Sequence, residues 1–304
     1  MTKPIKPKKT AYHDSVMLWK DLLLRGLEED GWKWDWTTIG SLQSGEQIAR
    51  AQVICKSKGV WAAETLVEAV SLLSAEISGG DHGRIETKIF AQNGEHLKPK
   101  TVVTEWMGPA RMVLAFERPF LNLASYVSGV ATMTRSFVDE IKRRKLKNPP
   151  RLTLTRKTLP GYRDIAIHGV QIGGGASHRT SLAGGVLIKE NHITAAGSIE
   201  RALVGVRKVA PHGMKVEVEV TSLAELERAL VAGAEGVLLD NFKISQVRAA
   251  LKMIEKKGTR PVVEVSGGIN QKNIRDYLIE GVHVISVGAL THSVTAMDLS
   301  LLIT

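Results

Sequence analysis

The chain has 304 residues, 43% hydrophobic and 24% charged, and Lys plus Arg (41) exceed Asp plus Glu (31) for a net charge of +10. That length suits one large or two modest domains, no apolar run is long enough to span a membrane, and the single cysteine excludes an intrachain disulfide or a cysteine-based metal site. The basic excess suits an anionic partner, but it forms no single stripe, and aromatics at 5% are too few for a base-stacking platform.

Residues 1–10 are basic, contain proline and lead into no apolar segment, so a disordered tail is expected rather than a secretory signal. Residues 15–27 have helical spacing, with Val16, Trp19, Leu23 and Leu27 on one face. The segment EEDGWKWDWTT then turns at Asp30-Gly31, and its three tryptophans are expected to pack or to sit at an interface. A strand is expected over 49–57, where Cys55 reads as a buried, inert thiol, and a helix over 61–77. A reducing, cytoplasmic setting follows from the lone cysteine. Strands follow over 84–90 and 102–107.

From 121 to 145 the period becomes helical, through Leu123, Val127, Val130, Thr134, Phe137, Val138 and Ile141. Gly129 inside this helix costs about 1 kcal/mol relative to Ala, an expense that a close backbone contact would offset. Basic residues 142–147 suit a helix C-terminus, and Pro149-Pro150 stop it.

Beyond Pro150, strands alternate with helices. Strands are expected over 152–155, 186–189, 216–220, 236–239, 262–265 and 284–287, with a further short one at 170–172. Helices are expected over 198–209, 223–232, 244–257 and 271–279, and a short apolar helix over 297–303. The alternation implies a parallel sheet. About seven strands without a dinucleotide fingerprint favour an α/β barrel over an open sheet.

In such barrels the ligand site forms at the C-terminal ends of the strands, and those ends carry the chemistry here. Arg156-Lys157 follow the first strand, Lys189 ends VLIK, Glu219 lies near the end of KVEVEV, and Asp240 ends GVLLD. Ser266-Gly267-Gly268 follow VVEV, and Gly288 follows VISV. With His178-Arg179 after a triple glycine, these cations suit a ligand bearing several carboxylates or phosphates. The glycine turns leave backbone N–H groups open to a phosphate, and helix N-termini beside them would add to that. Glu219 and Asp240 can accept ribose hydroxyls or hold Mg²⁺, directly or through water; a structural ion pair with Lys189 or Lys157 is the alternative.

Three motifs, TRKTLPG (155–161), QIGGGASHR (171–179) and VLIKENHI (186–193), resemble the quinolinate phosphoribosyltransferase family, and ERPFLNLASYVSGVATMTR (117–135) resembles its helix opening. The resemblance implies condensation of quinolinate with phosphoribosyl pyrophosphate, giving nicotinate mononucleotide, pyrophosphate and carbon dioxide. It places the quinolinate carboxylates against Arg118, Arg156, His178 and Arg179, with Thr155, Lys157 and Lys189 close by. It sets Lys157, Lys189, Glu219 and Asp240 around the phosphoribosyl donor and its Mg²⁺, as the catalytic group. Ser266, Gly267, Gly268 and Gly288 would hold the 5′-phosphate, with His292 as a further donor. It also implies a homodimer in which Arg118 reaches the partner's site. The chain departs from the family pattern at Trp32, Trp34, Pro119, Gln171, Ser177 and Gly184. Two other readings compete with it: a related transferase-like protein linked to molybdenum transport, and a non-catalytic nucleic-acid-binding protein.

The expected fold is thus α/β: an N-terminal α+β open sandwich over 1–121, an incomplete, roughly seven-stranded α/β barrel over 122–294, and a C-terminal helix over 295–304 packing back on the first domain. Neither a nucleic-acid nor a membrane partner is expected.

Overall fold

The structure, a computed structural model, describes residues 15–42 and 47–304; the expected N-terminal tail lies outside them. The first elements are α1 (Val16–Glu29), a 3-10 turn (Trp32–Trp34), α2 (Trp36–Ser41), β1 (Ile48–Cys55), β2 (Gly59–Val60) and α3 (Glu64–Ile77). A second 3-10 turn (Asp81–Gly83) leads to β3 (Glu86–Ile89), β4 (His96–Leu97), β5 (Val102–Pro109) and the long α4 (Ala110–Arg143). Next come β6 (Arg151–Thr153), α5 (Arg163–Ile172), β7 (Val186–Ile188), α6 (Glu190–Ala196) and α7 (Ile199–Val209). The remainder is β8 (Val216–Val220), α8 (Leu223–Val231), β9 (Gly236–Asp240), α9 (Ile244–Lys256), β10 (Val262–Ser266), α10 (Ile274–Tyr277), β11 (Val284–Ser286), α11 (Ala289–His292) and β12 (Leu299–Ile303).

The described chain packs as two units. The first takes the described residues up to Arg135 together with Asp164–Gly174 and Val294–Thr304; the second takes Ser136–Arg163 and Gly175–Ser293. In the first unit an antiparallel sheet runs β12-β1-β5-β3. Along β1, Ala49, Ala51, Val53 and Cys55 are buried and alternate with more exposed residues, the period of a strand with one covered face. Trp19, Leu23 and Leu27 of α1 and Leu66, Val70 and Leu73 of α3 are all but fully buried. The Cys55 thiol is fully buried and donates to Ser57 O; burial raises its pKa, as an inert thiol requires.

Several expectations change. The run over 297–303 is a strand, not a helix: Ala51–Cys55 of β1 pair antiparallel with 303–299, which satisfies a sheet edge that a helix would leave bare. The short strand expected at 170–172 is the end of α5. Gly169 and Gly173 sit against the Val127 and Ala131 carbonyl oxygens of α4, so this helix packs where side chains would collide. The helix expected from 121 starts at Ala110 and runs through Pro119. Proline in a helix interior costs about 3 kcal/mol; Phe116 and Phe120 on either side are fully buried and stabilise by about 1.5–3 kcal/mol each. The predicted apolar face of α4 is buried from Leu123 to Ile141. The close contact expected at Gly129 is present, since a Cβ there would lie 2.4 Å from Thr295 O. Trp34 and Trp36 do not pack inward; both are exposed, with ring centroids 5.9 Å apart.

The second unit holds a six-stranded parallel sheet in the order β6-β11-β10-β9-β8-β7. The first strand of the unit lies beside the last, as when a sheet curls upon itself. Residues from all six strands, both edge strands included, line a cavity inside the sheet, so the sheet is a barrel open along the β6–β7 seam. A single parallel bridge, Thr153 to Ala176, begins to span the seam.

Candidate active site

Alternation places the site. In β8, Val216, Val218 and Val220 are buried while Glu217 and Glu219 turn the other way, into the barrel. In β9 and β10 the inward set includes Leu238 and Asp240, then Glu264 and Ser266. A cavity of about 430 Å³ results at the C-terminal strand ends, lined by Thr155, Arg156, Lys157, His178, Arg179, Lys189, Glu219, Asp240 and Ser266 among others. Nine predicted site residues therefore share one space.

The cavity carries charges of both signs. Arg156 and Arg179 stand close enough that the Arg156 charge, after burial, lowers the Arg179 pKa. The buried Arg156 Nε has no hydrogen-bond partner. An anion would relieve both costs. Glu219, whose charge reaches Arg179, is ion-paired with Lys189, the structural pairing expected as the alternative. Asp240 accepts a 2.8 Å hydrogen bond from Asn241 Nδ2, and burial followed by the charge of Glu219 raises its pKa. Two hard oxygen donors at neighbouring strand ends suit Mg²⁺, and a cation there would offset their mutual repulsion.

The glycine turns flank this space. Gly267 has φ +90°, and a Cβ on it would fall 2.2 Å from Asn241 Oδ1, so only glycine fits. A Cβ on Gly288 would lie 2.8 Å from His292 Nε2 and 3.4 Å from Lys157 Cδ, so Gly288 and His292 abut the Arg156-Lys157 loop. Thr291 Oγ1 donates to Lys157 O at 2.8 Å and ties that loop to α11. The helix N-termini expected beside these turns supply little, because α10 and α11 have only four residues each. Arg118 lies on α4 in the other unit, with an exposed side chain 4.0 Å from the Glu117 carboxylate.

Two functional candidates escaped the sequence reading. Glu217 and Glu264 sit one inward position deeper than Glu219 and Ser266, and both face His178. The signal was present in VEVEV and VVEVS, where a carboxylate stands two residues before each strand-end group. His178 follows the bridge at Ala176 rather than a strand end. Its Nε2 lies 3.1 Å from Glu264 and 3.7 Å from Glu217, and its Nδ1 accepts the Arg179 backbone N–H at 2.8 Å. The hydrogen bond to Glu264 raises the His178 pKa, and burial raises that of Glu217 to about 7.

Two family models match the chain: the quinolinate phosphoribosyl transferase N-terminal domain over residues 35–128 and its C-terminal domain over 130–302. The nicotinate-nucleotide pyrophosphorylase [carboxylating] of Mycobacterium leprae is 35% identical over 93% of this chain and 96% of that protein. The Homo sapiens protein of the same name is 36% identical over 86% of this chain and 84% of its own. The solved nicotinate-nucleotide pyrophosphorylase from Francisella tularensis superposes with a TM-score of 0.83 at 31% identity, covering 95% of this chain and 97% of that one. With both domain models matched in order and relatives above 30% identity along nearly their whole length, the chain belongs to the quinolinate phosphoribosyltransferase family.

Proposed function

We propose that the chain transfers the phosphoribosyl group of phosphoribosyl pyrophosphate to quinolinate with decarboxylation, giving nicotinate mononucleotide, pyrophosphate and carbon dioxide in NAD biosynthesis. The observation that carries this reading is the mix of charges in one cavity, where Arg156 and Arg179 repel each other and so do Glu219 and Asp240. The first pair suits a ring with two adjacent carboxylates, and the second suits ribose hydroxyls and Mg²⁺. Family membership supports it, and neither the molybdenum-transport nor the nucleic-acid reading is favoured.

The chemistry asks mostly for charge in fixed places. Arg156 and Arg179 orient the pyridine so that its nitrogen faces the anomeric carbon, converting an encounter into an aligned attack. Lys157 and Lys189 stabilise negative charge gathering on the departing pyrophosphate. Glu219 and Asp240 bind the ribose and hold Mg²⁺, which when bound offsets the charge of the pyrophosphate. Backbone N–H groups of 266–268 and 288 receive the 5′-phosphate. After transfer the bond from C2 to its carboxylate breaks, the electron pair stays on C2 beside the cationic nitrogen that stabilises it, and C2 takes up a proton from solvent, so no protein base is needed for that step. A cytoplasmic location suits a chain with one buried thiol and, among the described residues, no helix able to cross a membrane.

The test is formation of nicotinate mononucleotide from quinolinate, phosphoribosyl pyrophosphate and Mg²⁺. Nicotinate lacks the 2-carboxylate and would leave a buried cation unpaired, so its kcat/KM is expected to be lower by a factor of about 100 or more. Equal kcat/KM for the two acids would sink the reading.

A further inference from the structure

Barrel interiors are ordinarily filled by branched apolar side chains. Here the middle of the barrel carries a carboxylate that is 2% exposed, Glu264 of β10. It is not idle. Ser286 Oγ of β11 donates to its Oε1 at 2.6 Å, and His178 Nε2 donates to its Oε2 at 3.1 Å. The chain of bonds continues outward. The Arg179 backbone N–H donates to His178 Nδ1 at 2.8 Å, and the Arg179 guanidinium donates through Nη1 to Gly185 O at 3.1 Å. The last two bonds lie in the segment between Gly175 and Gly185, which occupies the stretch of chain between the Ala176 bridge and β7 at the open seam. That segment has no regular strand to fix its register, so a buried tether must do it.

We propose that Glu264 is a positioning residue for quinolinate: by gripping His178 Nε2 from inside the barrel, it sets the seam segment so that the Arg179 guanidinium meets the substrate carboxylates. This deepens the proposed function and rests on it. The physical logic is that of an outer partner orienting an inner ligand-binding group. A histidine with one nitrogen accepting a backbone N–H must protonate the other, and a carboxylate facing that other nitrogen fixes both tautomer and ring angle. Glu264 lines the cavity floor beneath Arg179. Glu219 of β8 and Asp240 of β9, which face the phosphoribosyl donor, are held by Lys189 and Asn241 and not by this chain of bonds, so the two substrates should respond differently to its loss.

The experiment begins with wild type making nicotinate mononucleotide; if it does not, the functional reading itself fails. Given activity, Glu264→Ala is expected to raise KM for quinolinate about tenfold or more while KM for phosphoribosyl pyrophosphate stays within about twofold. Glu264→Gln can still accept from His178 through its amide oxygen while donating to Ser286, so it should recover most of the loss. Should Glu264→Ala not fold, Ser286→Ala tests the same tether from its other end, with a smaller rise of about threefold in KM for quinolinate alone. Nitrogen-15 NMR of the wild-type protein is expected to show His178 protonated at Nε2 and bare at Nδ1. A merely structural role predicts a lower melting temperature with both KM values unchanged or moved together. That result in folded variants, or a His178 protonated at Nδ1, would overturn the proposal.

Discussion

At position 217 a carboxylate faces into the barrel near Glu264 and His178, and burial, with the neighbouring carboxylate second, lifts its pKa from 4.5 to about 7. The folded state therefore prefers Glu217 protonated. Its contribution to stability is fully present below about pH 4.5 and is lost as pH rises through about 7. The gap amounts to roughly 3 kcal/mol at most. Glu217→Gln, which keeps the shape and removes the charge, is expected to melt a few degrees above wild type at pH 8 and close to it at pH 5. A Tm difference that does not change between those pH values would show that Glu217 is not held neutral. The sequence marks Glu219 as a strand-end group; it does not mark Glu217, because how deep a side chain sits is set by neighbouring strands.

Among the elements, β12 is the one whose type the sequence hides. LSLLI is apolar in every position but one and reads equally as a turn of helix or an edge strand. Pairing with β1 decides it, turning Leu299 and Leu301 inward, where they are buried, and Leu302 outward, where it is half exposed. Leu301→Asp is accordingly expected to cost about 2–4 kcal/mol, and Leu302→Asp less than about 0.5 kcal/mol. Equal melting temperatures for the two variants would contradict the strand. The long α4 teaches the converse. A proline interrupts the helical hydrogen bonds, yet the apolar period crosses Pro119 from Val113 to Val127, and burial outweighs the lost hydrogen bond.

For the whole molecule, the open question is where Arg118 acts. It is exposed on α4 in the first unit, whereas the nine residues lining the cavity belong to the second. We propose a homodimer in which this arginine completes the partner's site. Arg118→Ala and Glu219→Ala are each expected to be inactive. Mixed under conditions that exchange subunits, about half the dimers become hybrids with one intact site each, so activity should return to roughly one quarter of wild type by two-fold symmetry. Verified exchange with no recovery would place Arg118 in its own chain's function.

The sequence by itself determined the barrel and its reactive rim. Period-two strands separated by amphipathic helices require a parallel sheet, and a residue at a strand's C-terminal end stands at the mouth whatever its neighbours are. That is why Thr155, Arg156, Lys157, Lys189, Glu219, Asp240 and Ser266 were legible, and why they share one cavity. Tertiary structure decided what local pattern leaves degenerate. Val170–Ile172 became helix because Gly169 and Gly173 let this segment pack closely on the α4 backbone, reducing the expected seven strands to six. The last strand formed because β1 presents an unpaired edge. The Glu217–His178–Glu264 group exists only because three segments distant in sequence converge inside the barrel, and burial and neighbouring charge, rather than residue type, raise the Glu217 pKa there.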